Sequence, residues 1–479
     1  MGTFDVVVLG AGPGGLVAAA GLAGLGASVA LVERHRMGGD CLNYGCVPSK
    51  ALIRSARVAA EFRNASRWGL PPVDLRPDLG AVLERARSVR ASLAPKDSAE
   101  AFEAKGVSVL EGTPGRLVSP REVLVGNRHL KAKHIVLATG ACAAVPPIPG
   151  LKEIPYHTNE TFFDTLDPSI RSLIVLGGGP IGCEIAQSLA QLGVEVTLVQ
   201  HGEQLLPRED PDVAGALQEA MKRDGVRILL SSSVETVSKN SAGRIRVFLA
   251  ANNESKERLL EGDALLVAAG RKANIDGIGL KEAGVECTPR GVLVDEFLRT
   301  SRKSVWAVGD VIGGYQFTHY ADAQARIVVR NIVMPFFPAR FRPAVIPWCT
   351  FTSPEVARAG VNEKEARAKN LRYRLFKFPL SELDRPVCDG TPEGFVKVLV
   401  EKNSDRILGV TAVGHGAGDW FHELVLAVAS KTRLSTISEM IHAYPTWAEA
   451  NRRVADEFMR TKLTPFLLRT LRLRWKLGF

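Results

Sequence analysis

Nowhere does the 479-residue chain hold the roughly 18 consecutive apolar residues that a bilayer-spanning helix requires. The opening MGTFDVVVLGAGPGG also lacks the basic leader and cleavage site of an export signal, so a cytoplasmic protein is expected. Lys and Arg number 61 against 51 Asp and Glu, yet over most of the chain they do not gather into a basic stripe. Nucleic acid as a partner is therefore not expected. Cysteine is scarce and odd in number, at seven, unlike the disulfide framework of a small secreted domain. Five of the seven (Cys142, Cys183, Cys287, Cys349 and Cys388) stand alone among apolar or small residues, and buried, inert thiols are expected there. Only Cys41 and Cys46, in GGDCLNYGCVPSK, form a close pair. With no further ligands at short spacing, a structural zinc site of the usual kind is excluded. A structural staple and an electron-cycling dithiol both remain open on spacing alone.

What is present is the balance of a soluble globular protein, 46% apolar and 23% charged residues, long enough for about two to four domains. FDVVVLGAGPGGLVAAAGLAGLGASVALVE opens on apolar β-formers and continues into Gly10-x-Gly12-x-x-Gly15, a small-residue helix and a second strand ending at Glu33. Gly10 permits the tight turn, Gly12 lets backbone approach a pyrophosphate, and Gly15 lets the helix pack on the sheet; Gly14 lies in the same loop. The helix N-terminus adds N–H groups and the positive end of a dipole, and Glu33 stands where a ribose hydroxyl needs an acceptor. The unit recurs in RSLIVLGGGPIGCEIAQSLAQLGVEVTLVQ with Gly177-x-Gly179-x-x-Gly182. Two such units imply two dinucleotides, one held tightly and one exchanging. In the second copy Gln200 and His201 replace the acid. This removes a repulsion against a ribose 2′-phosphate, which His201 or Arg208 could pair with, so NADPH is favoured over NADH.

Several motifs in a fixed order now support a resemblance. GGDCLNYGCVPSK, KHIVLATG (133–140), VAAGRKAN (267–274), TSRKSVWAVGD (300–310) and PWCTFTSPEVARAG (347–360) together resemble the FAD-dependent pyridine nucleotide–disulfide oxidoreductases. This is the group of dihydrolipoamide dehydrogenase, glutathione reductase and mercuric reductase, and the resemblance covers essentially the whole chain. It implies bound FAD, a redox-active Cys41–Cys46 disulfide, and electrons arriving from NADPH or NADH. It further implies that Cys46 faces the flavin while Cys41 attacks substrate. Lys50 would lie near the flavin and pair with Glu184, and Asp310 would hold the ribityl chain. Gly39, Thr139, Gly140, Gly270 and Arg271 are expected among the cofactor-binding positions. Pro48 and Ser49 are expected to start the helix that carries Lys50.

One position departs from the disulfide-reducing pattern. In those members a histidine before Pro-Thr shuttles protons, supported by a glutamate five residues on. Here IHAYPTWAEANRR places Tyr444 at the shuttle position, with Glu449 in the supporting place. A phenol titrates near 10 and is a poor base at neutral pH, where imidazole is well matched. His442 aligns with a different, non-catalytic position. A tyrosine near the thiols resembles mercuric reductases, and soft thiolates suit a soft metal ion. An amino-terminal Cys-x-x-Cys domain and a carboxy-terminal vicinal cysteine pair are, however, both missing. Three acceptors are thus in view: a thiol-bound metal, a disulfide of the lipoamide type, and a quinone or other oxidant that bypasses the cysteines.

The expected architecture is α/β. It comprises an FAD domain near 1–150, a nicotinamide domain near 151–272, a central segment near 273–343 completing the FAD site, and an α+β dimerisation domain near 344–479. Both nucleotide domains should be doubly wound, and the resemblance implies a homodimer in which Tyr444 and Glu449 reach the partner's site. The tail, residues 463–479, carries Phe466, Leu467, Leu471 and Trp475 at helical spacing with Arg469, Arg472, Arg474 and Lys476. It is expected either to lie on anionic lipid or to pack as an extra helix on the dimer.

Overall fold

Runs of buried β-branched residues build the first sheet. Val29–Glu33 is buried along its whole length, as expected of a parallel strand covered on both faces. It pairs in parallel with Gly2–Leu9 on one side and Val107–Glu111 on the other. Gly2–Leu9 in turn pairs with Arg128–Leu137. Antiparallel strands Glu122–Val125 and Gly115–Ser119 extend the sheet. Val305–Ala307, from the central segment, pairs with Ile135–Leu137, and helix Thr318–Val333 packs on the motif helix Pro13–Gly24. These are the elements of a computed structural model that describes residues 2–71, 73, 75–250 and 258–477.

The second motif repeats this construction. Parallel strands run in the order Arg227–Leu229, Glu195–Val199, Ser172–Leu176, Ala264–Val267. Helix Pro180–Gln191 is buried at every residue from Gly182 onward. A three-stranded antiparallel sheet, Val234–Lys239, Ile245–Leu249 and Leu259–Gly262, covers one face. The two nucleotide domains are joined by a short ribbon in which Ala141–Ala143 pairs with Arg271–Ala273.

The carboxy-terminal domain is a five-stranded antiparallel sheet, ordered Pro347–Thr350, Glu355–Gly360, Ile407–Gly414, Phe395–Glu401, Tyr373–Pro379. Helices His422–Ser430 and Glu449–Arg460 pack on it through Leu424, Val454 and Phe458. Ionic contacts tie this domain to the rest. Arg57, from the helix after the thiol pair, reaches Glu355 at 2.9 Å. Lys397, whose side chain is wholly buried, meets Asp210 at 3.0 Å, Asp212 at 2.9 Å and Glu363 at 2.8 Å. A buried ammonium is tolerated only with this density of partners, and the carboxylates hold its pKa up at about 12 against the cost of burial.

Three expectations are corrected. Cys183 is buried, but Cys287 and Cys388 are exposed: one lies in the two-residue strand Cys287–Thr288 and the other ends the short helix Asp384–Cys388. The thiol helix begins at Cys46 rather than at Pro48, running Cys46–Arg63, because proline is well accommodated in a first turn, where its missing N–H is not needed. The third concerns Tyr444 and is given with the site. Helix Pro465–Lys476 forms in the tail with no buried residue; Gly478 and Phe479 lie outside the described residues. Among the described residues no helix is long and apolar enough to cross a membrane.

Candidate functional site

Each glycine motif makes a cradle. A Cβ on Gly10 would stand 2.3 Å from the Ala138 carbonyl oxygen, and one on Gly15 only 1.8 Å from that of Gly10. Side chains are thus excluded where strand, turn and helix meet. Gly12 caps helix Pro13–Gly24 without a side-chain hydrogen bond, leaving the first N–H groups of the helix for an anion. Gly39, which opens the short helix Gly39–Asn43, lies so close that its Cβ would be 2.5 Å from the Gly12 Cα. The first dinucleotide motif and the Cys41 helix therefore meet backbone to backbone. Glu33 accepts from the N–H of Ala11 at 2.7 Å and of His35 at 2.9 Å.

In the second cradle, Gly179 has open space where a Cβ would be, whereas one on Gly177 or Gly182 would strike carbonyl oxygens at 2.4 and 1.9 Å. Gln200 Oε1 accepts from the Gly178 N–H at 2.8 Å. His201 Nδ1 is 2.8 Å from the Ser233 hydroxyl, and the Arg208 guanidinium lies over the Tyr315 ring at 5.8 Å. Both donor sets fit dinucleotides, with exposed helix N-termini at glycine caps and an acceptor at the end of the second strand.

The thiols lie where these units converge. Cys41 is on Gly39–Asn43, and Cys46 is the first residue of Cys46–Arg63. Both are free in this structure. A hydrogen bond from Cys41 draws the Cys46 thiol down to about 6; burial opposes this, and the Lys50 charge and the Thr318 hydroxyl assist. Cys41 is pushed the opposite way, first by its bond to Cys46 and then by burial and the negative charge beside it. Thr318 Oγ1 lies 3.7 Å from Cys46 Sγ. Reduced at neutral pH, the pair holds one thiolate, on Cys46, and one thiol, on Cys41.

Lys50 Nζ is 2.9 Å from Glu184 Oε2. Burial disfavours its charge, but Glu184 and Cys46 more than restore it. Glu184 Oε1 also accepts from the Phe351 N–H at 2.9 Å. That carboxylate therefore ties the thiol helix, the second motif helix and the start of the carboxy-terminal domain together.

Arg271 is the other convergence point. It reaches Asp40 at 3.0 Å and Asp310 at 3.4 Å, and donates to the Ala141 carbonyl at 3.0 Å. Burial raises the Asp310 pKa and the Arg271 charge opposes it. Gly140 and Gly270 precede the two strands of the connecting ribbon. Thr139 and Asn274 exchange hydrogen bonds of 2.9 and 2.8 Å beside it. Among the described residues, the Nε of Arg271 and Nε2 of Gln324 are buried polar atoms with no protein partner; such atoms ordinarily have one, and a polar cofactor suits them.

The carboxy-terminal residues are arranged differently from expectation. The Tyr444 hydroxyl donates to Asp384 Oδ2 at 2.6 Å, so the acid that engages it within the subunit is Asp384 and not Glu449. A phenol extends further than an imidazole and reaches the helix Asp384–Cys388. That bond pushes the Tyr444 pKa up, making it a still weaker acid. Tyr444 is 68% exposed, and Glu449 is buried at the start of its helix. His442 is turned inward, its Nε2 3.1 Å from both Glu423 oxygens. Thr318, Asp40 and Asp384 were not singled out from sequence. Only the position of Thr318, at the head of a helix after the GD fingerprint, could have flagged one of them.

Two dinucleotide cradles flanking a polarised thiol pair define a nicotinamide- and flavin-linked dithiol oxidoreductase. The chain belongs to the pyridine nucleotide-disulphide oxidoreductase family: residues 4–325 match its main domain and 346–455 its dimerisation domain. The family uses FAD and NAD(P)H. Dihydrolipoyl dehydrogenase of Chlamydia muridarum (strain MoPn / Nigg) is 34% identical over 452 residues, 93% of this chain and 95% of the relative. Mercuric reductase of Staphylococcus aureus is 30% identical over 458 residues, 95% and 83% of the two chains. Among solved structures, the Cu(II) complex of the HOCl-induced flavoprotein disulfide reductase RclA from Escherichia coli superposes with a TM-score of 0.84. It shares 26% identity, covering 95% of this chain and 99% of that one.

Proposed function

We propose that the protein carries electrons from NAD(P)H through FAD to the Cys41–Cys46 disulfide and on to a thiol-bound soft metal ion, with a substrate disulfide as the second acceptor. The observation that carries this is the geometry of the thiol pair: two free cysteines on adjoining helices, with Thr318 Oγ1 3.7 Å from Cys46 Sγ and, on the Cys46 helix, Lys50 paired to Glu184 at 2.9 Å. When bound, FAD supplies the two-electron relay between nicotinamide and sulfur. The Gly10–Gly15 loop, Gly39, Glu33, Thr139, Gly140, Arg271 and Asp310 would hold it. Gly177, Gly179, Gly182, Gln200, His201 and Gly270 would hold the nicotinamide dinucleotide, NADPH in preference to NADH.

The chain's own part is sulfur and proton chemistry. Breaking the disulfide takes two electrons and one proton and leaves Cys46–S⁻ and Cys41–SH. Lys50, kept charged by Glu184, stabilises the negative charge that accumulates beside it. A divalent thiophilic ion held as substrate by the two sulfurs displaces the Cys41 proton to solvent; its two-electron reduction would release the neutral metal and re-form the Cys41–Cys46 disulfide, so no leaving thiolate has to be protonated. Substrate disulfides demand that protonation, and Tyr444, hydrogen-bonded to Asp384, is poorly suited to provide it. The metal therefore ranks first. Similarity to mercuric reductase at 30% identity and to dihydrolipoyl dehydrogenase at 34% supports both acceptors, and the order between them rests on Tyr444. We place the working unit as a cytoplasmic homodimer in which the exposed Tyr444 approaches the partner's thiols.

An acceptor screen tests the reading: mercuric and cupric ions, lipoamide, glutathione disulfide and quinones, each with NADPH and NADH. Metal turnover that disappears in Cys46→Ser, together with loss of the long-wavelength absorption seen on two-electron reduction, is the expected result. A Cys46→Ser protein with undiminished turnover on quinone or oxygen would overturn it.

A further inference from the structure

We propose that helix Pro465–Lys476 is a peripheral anchor for an anionic lipid surface. This function is separate from the electron-transfer reading. Beyond Glu457 the described chain has no acidic residue, but it has Arg460, Lys462, Arg469, Arg472, Arg474 and Lys476. The helix is well specified locally: Thr464 Oγ1 accepts from the Leu467 N–H at 3.2 Å, and Pro465 occupies the first turn. A lone helix of this length is marginal in water and needs a surface to stabilise it, yet none of its residues is buried. Phe466 is 80% exposed, Trp475 78%, Leu477 62% and Leu473 57%. At 3.6 residues per turn, Arg469, Arg472 and Lys476 form one stripe, with Phe466, Leu473 and Leu477 beside it on one flank and Leu468, Leu471 and Trp475 on the other.

Charge complementarity selects the occupant. An identical tail helix from a second copy would set like charges face to face. Nucleic acid would answer the cations but leave the aliphatic and aromatic side chains in water. An anionic bilayer answers both. Phe466, Leu473 and Leu477, which share one flank, enter the acyl boundary, and Arg469, Arg472 and Lys476 beside them lie among phosphates.

The test is co-sedimentation of the FAD-loaded full chain with vesicles of phosphatidylcholine alone, or of phosphatidylcholine and phosphatidylglycerol at about three to one. Binding is expected only to the anionic vesicles, and it should vanish at about 1 M salt, where the screening length falls to about 3 Å. Deleting residues 463–479 should abolish binding while NAD(P)H oxidation in solution is unchanged. Arg469→Ala with Arg472→Ala should weaken it about 25-fold, taking about five-fold per cation. Phe466→Ser with Leu473→Ser should release the protein at any salt. Equal sedimentation of intact and truncated chains would overturn the proposal. So would tighter tail-dependent binding to duplex DNA than to vesicles. So, too, would release by Phe336→Ser with Phe337→Ser, in the other exposed apolar segment (89% and 72% exposed), in place of release by truncation.

Discussion

Glu33 and Gln200 hold corresponding places in the two nucleotide folds: Glu33 ends the second strand of its motif, Gln200 directly follows the second strand of the other, and each accepts a hydrogen bond from its glycine loop. Glu33 takes the Ala11 N–H at 2.7 Å, and Gln200 takes the Gly178 N–H at 2.8 Å. The mechanical task is shared and the charge is not. Gln200→Glu keeps the acceptor, so the loop should hold its shape, but it sets a carboxylate against a ribose 2′-phosphate. The kcat/KM ratio of NADPH to NADH should fall about ten-fold, the equivalent of ~1.4 kcal/mol. Steady-state kinetics with both coenzymes reads this, and an unchanged ratio would dissociate Gln200 from coenzyme choice.

Cys46 in the reduced protein should react with iodoacetamide along a curve centred near pH 6, since its thiol is drawn down to about 6 from an ordinary 9.0. An acid whose pKa is lowered on folding adds stability that is complete above its unfolded value and is lost as pH falls through the folded one. The reduced protein should therefore lose thermal stability as pH drops from about 9 through about 6. Lys50→Met removes the nearby cation and should move the alkylation midpoint upward. A midpoint that stays in place would show that Cys41 and Thr318 carry the whole effect.

Glu184 separates two contributions. Glu184→Gln removes the charge facing Lys50 but can still accept from the Phe351 N–H. Because Lys50 is 35% exposed, the cost should be about 1 kcal/mol, below that of a fully buried pair. Glu184→Leu also strands the amide and should cost a further ~1–3 kcal/mol. Thermal or urea unfolding of the two variants distinguishes them; equal losses would mean that the amide finds another acceptor.

Tyr444→His restores a group that titrates near neutrality at the position before Pro445. General acid–base catalysis contributes about 10²-fold or more where it operates. Lipoamide turnover should rise on that scale while metal-ion turnover changes little. A flat lipoamide rate would remove Tyr444 from the proton path. Asp384→Ala, which frees the hydroxyl, should leave disulfide turnover low in either case.

How much of this could be read along the chain depended on sequence distance. The two glycine motifs, their strands and the acid at residue 33 were legible because a turn, a helix start and a phosphate cradle are set by neighbours within about 30 residues. The thiol pair was legible as a pair, and its redox reading came from the order of motifs around it. Its polarisation was not. Thr318 is 272 positions from Cys46 and Glu184 is 134 from Lys50, and no local pattern states that those side chains touch. The same holds for Arg271 between Asp40 and Asp310, and for Lys397 among three carboxylates.

The sequence alone determined which segments become nucleotide-binding units, where two sulfurs stand close, and that the tail is basic and apolar together. These follow from period, spacing and residue chemistry. Tertiary packing decided which sulfur bears the charge, that Tyr444 turns to Asp384, and that Cys388 and the tail helix face water. The reason is physical: a pKa or a hydrogen-bond partner is fixed by the few ångströms around a group, and those ångströms are filled by residues far away in the chain.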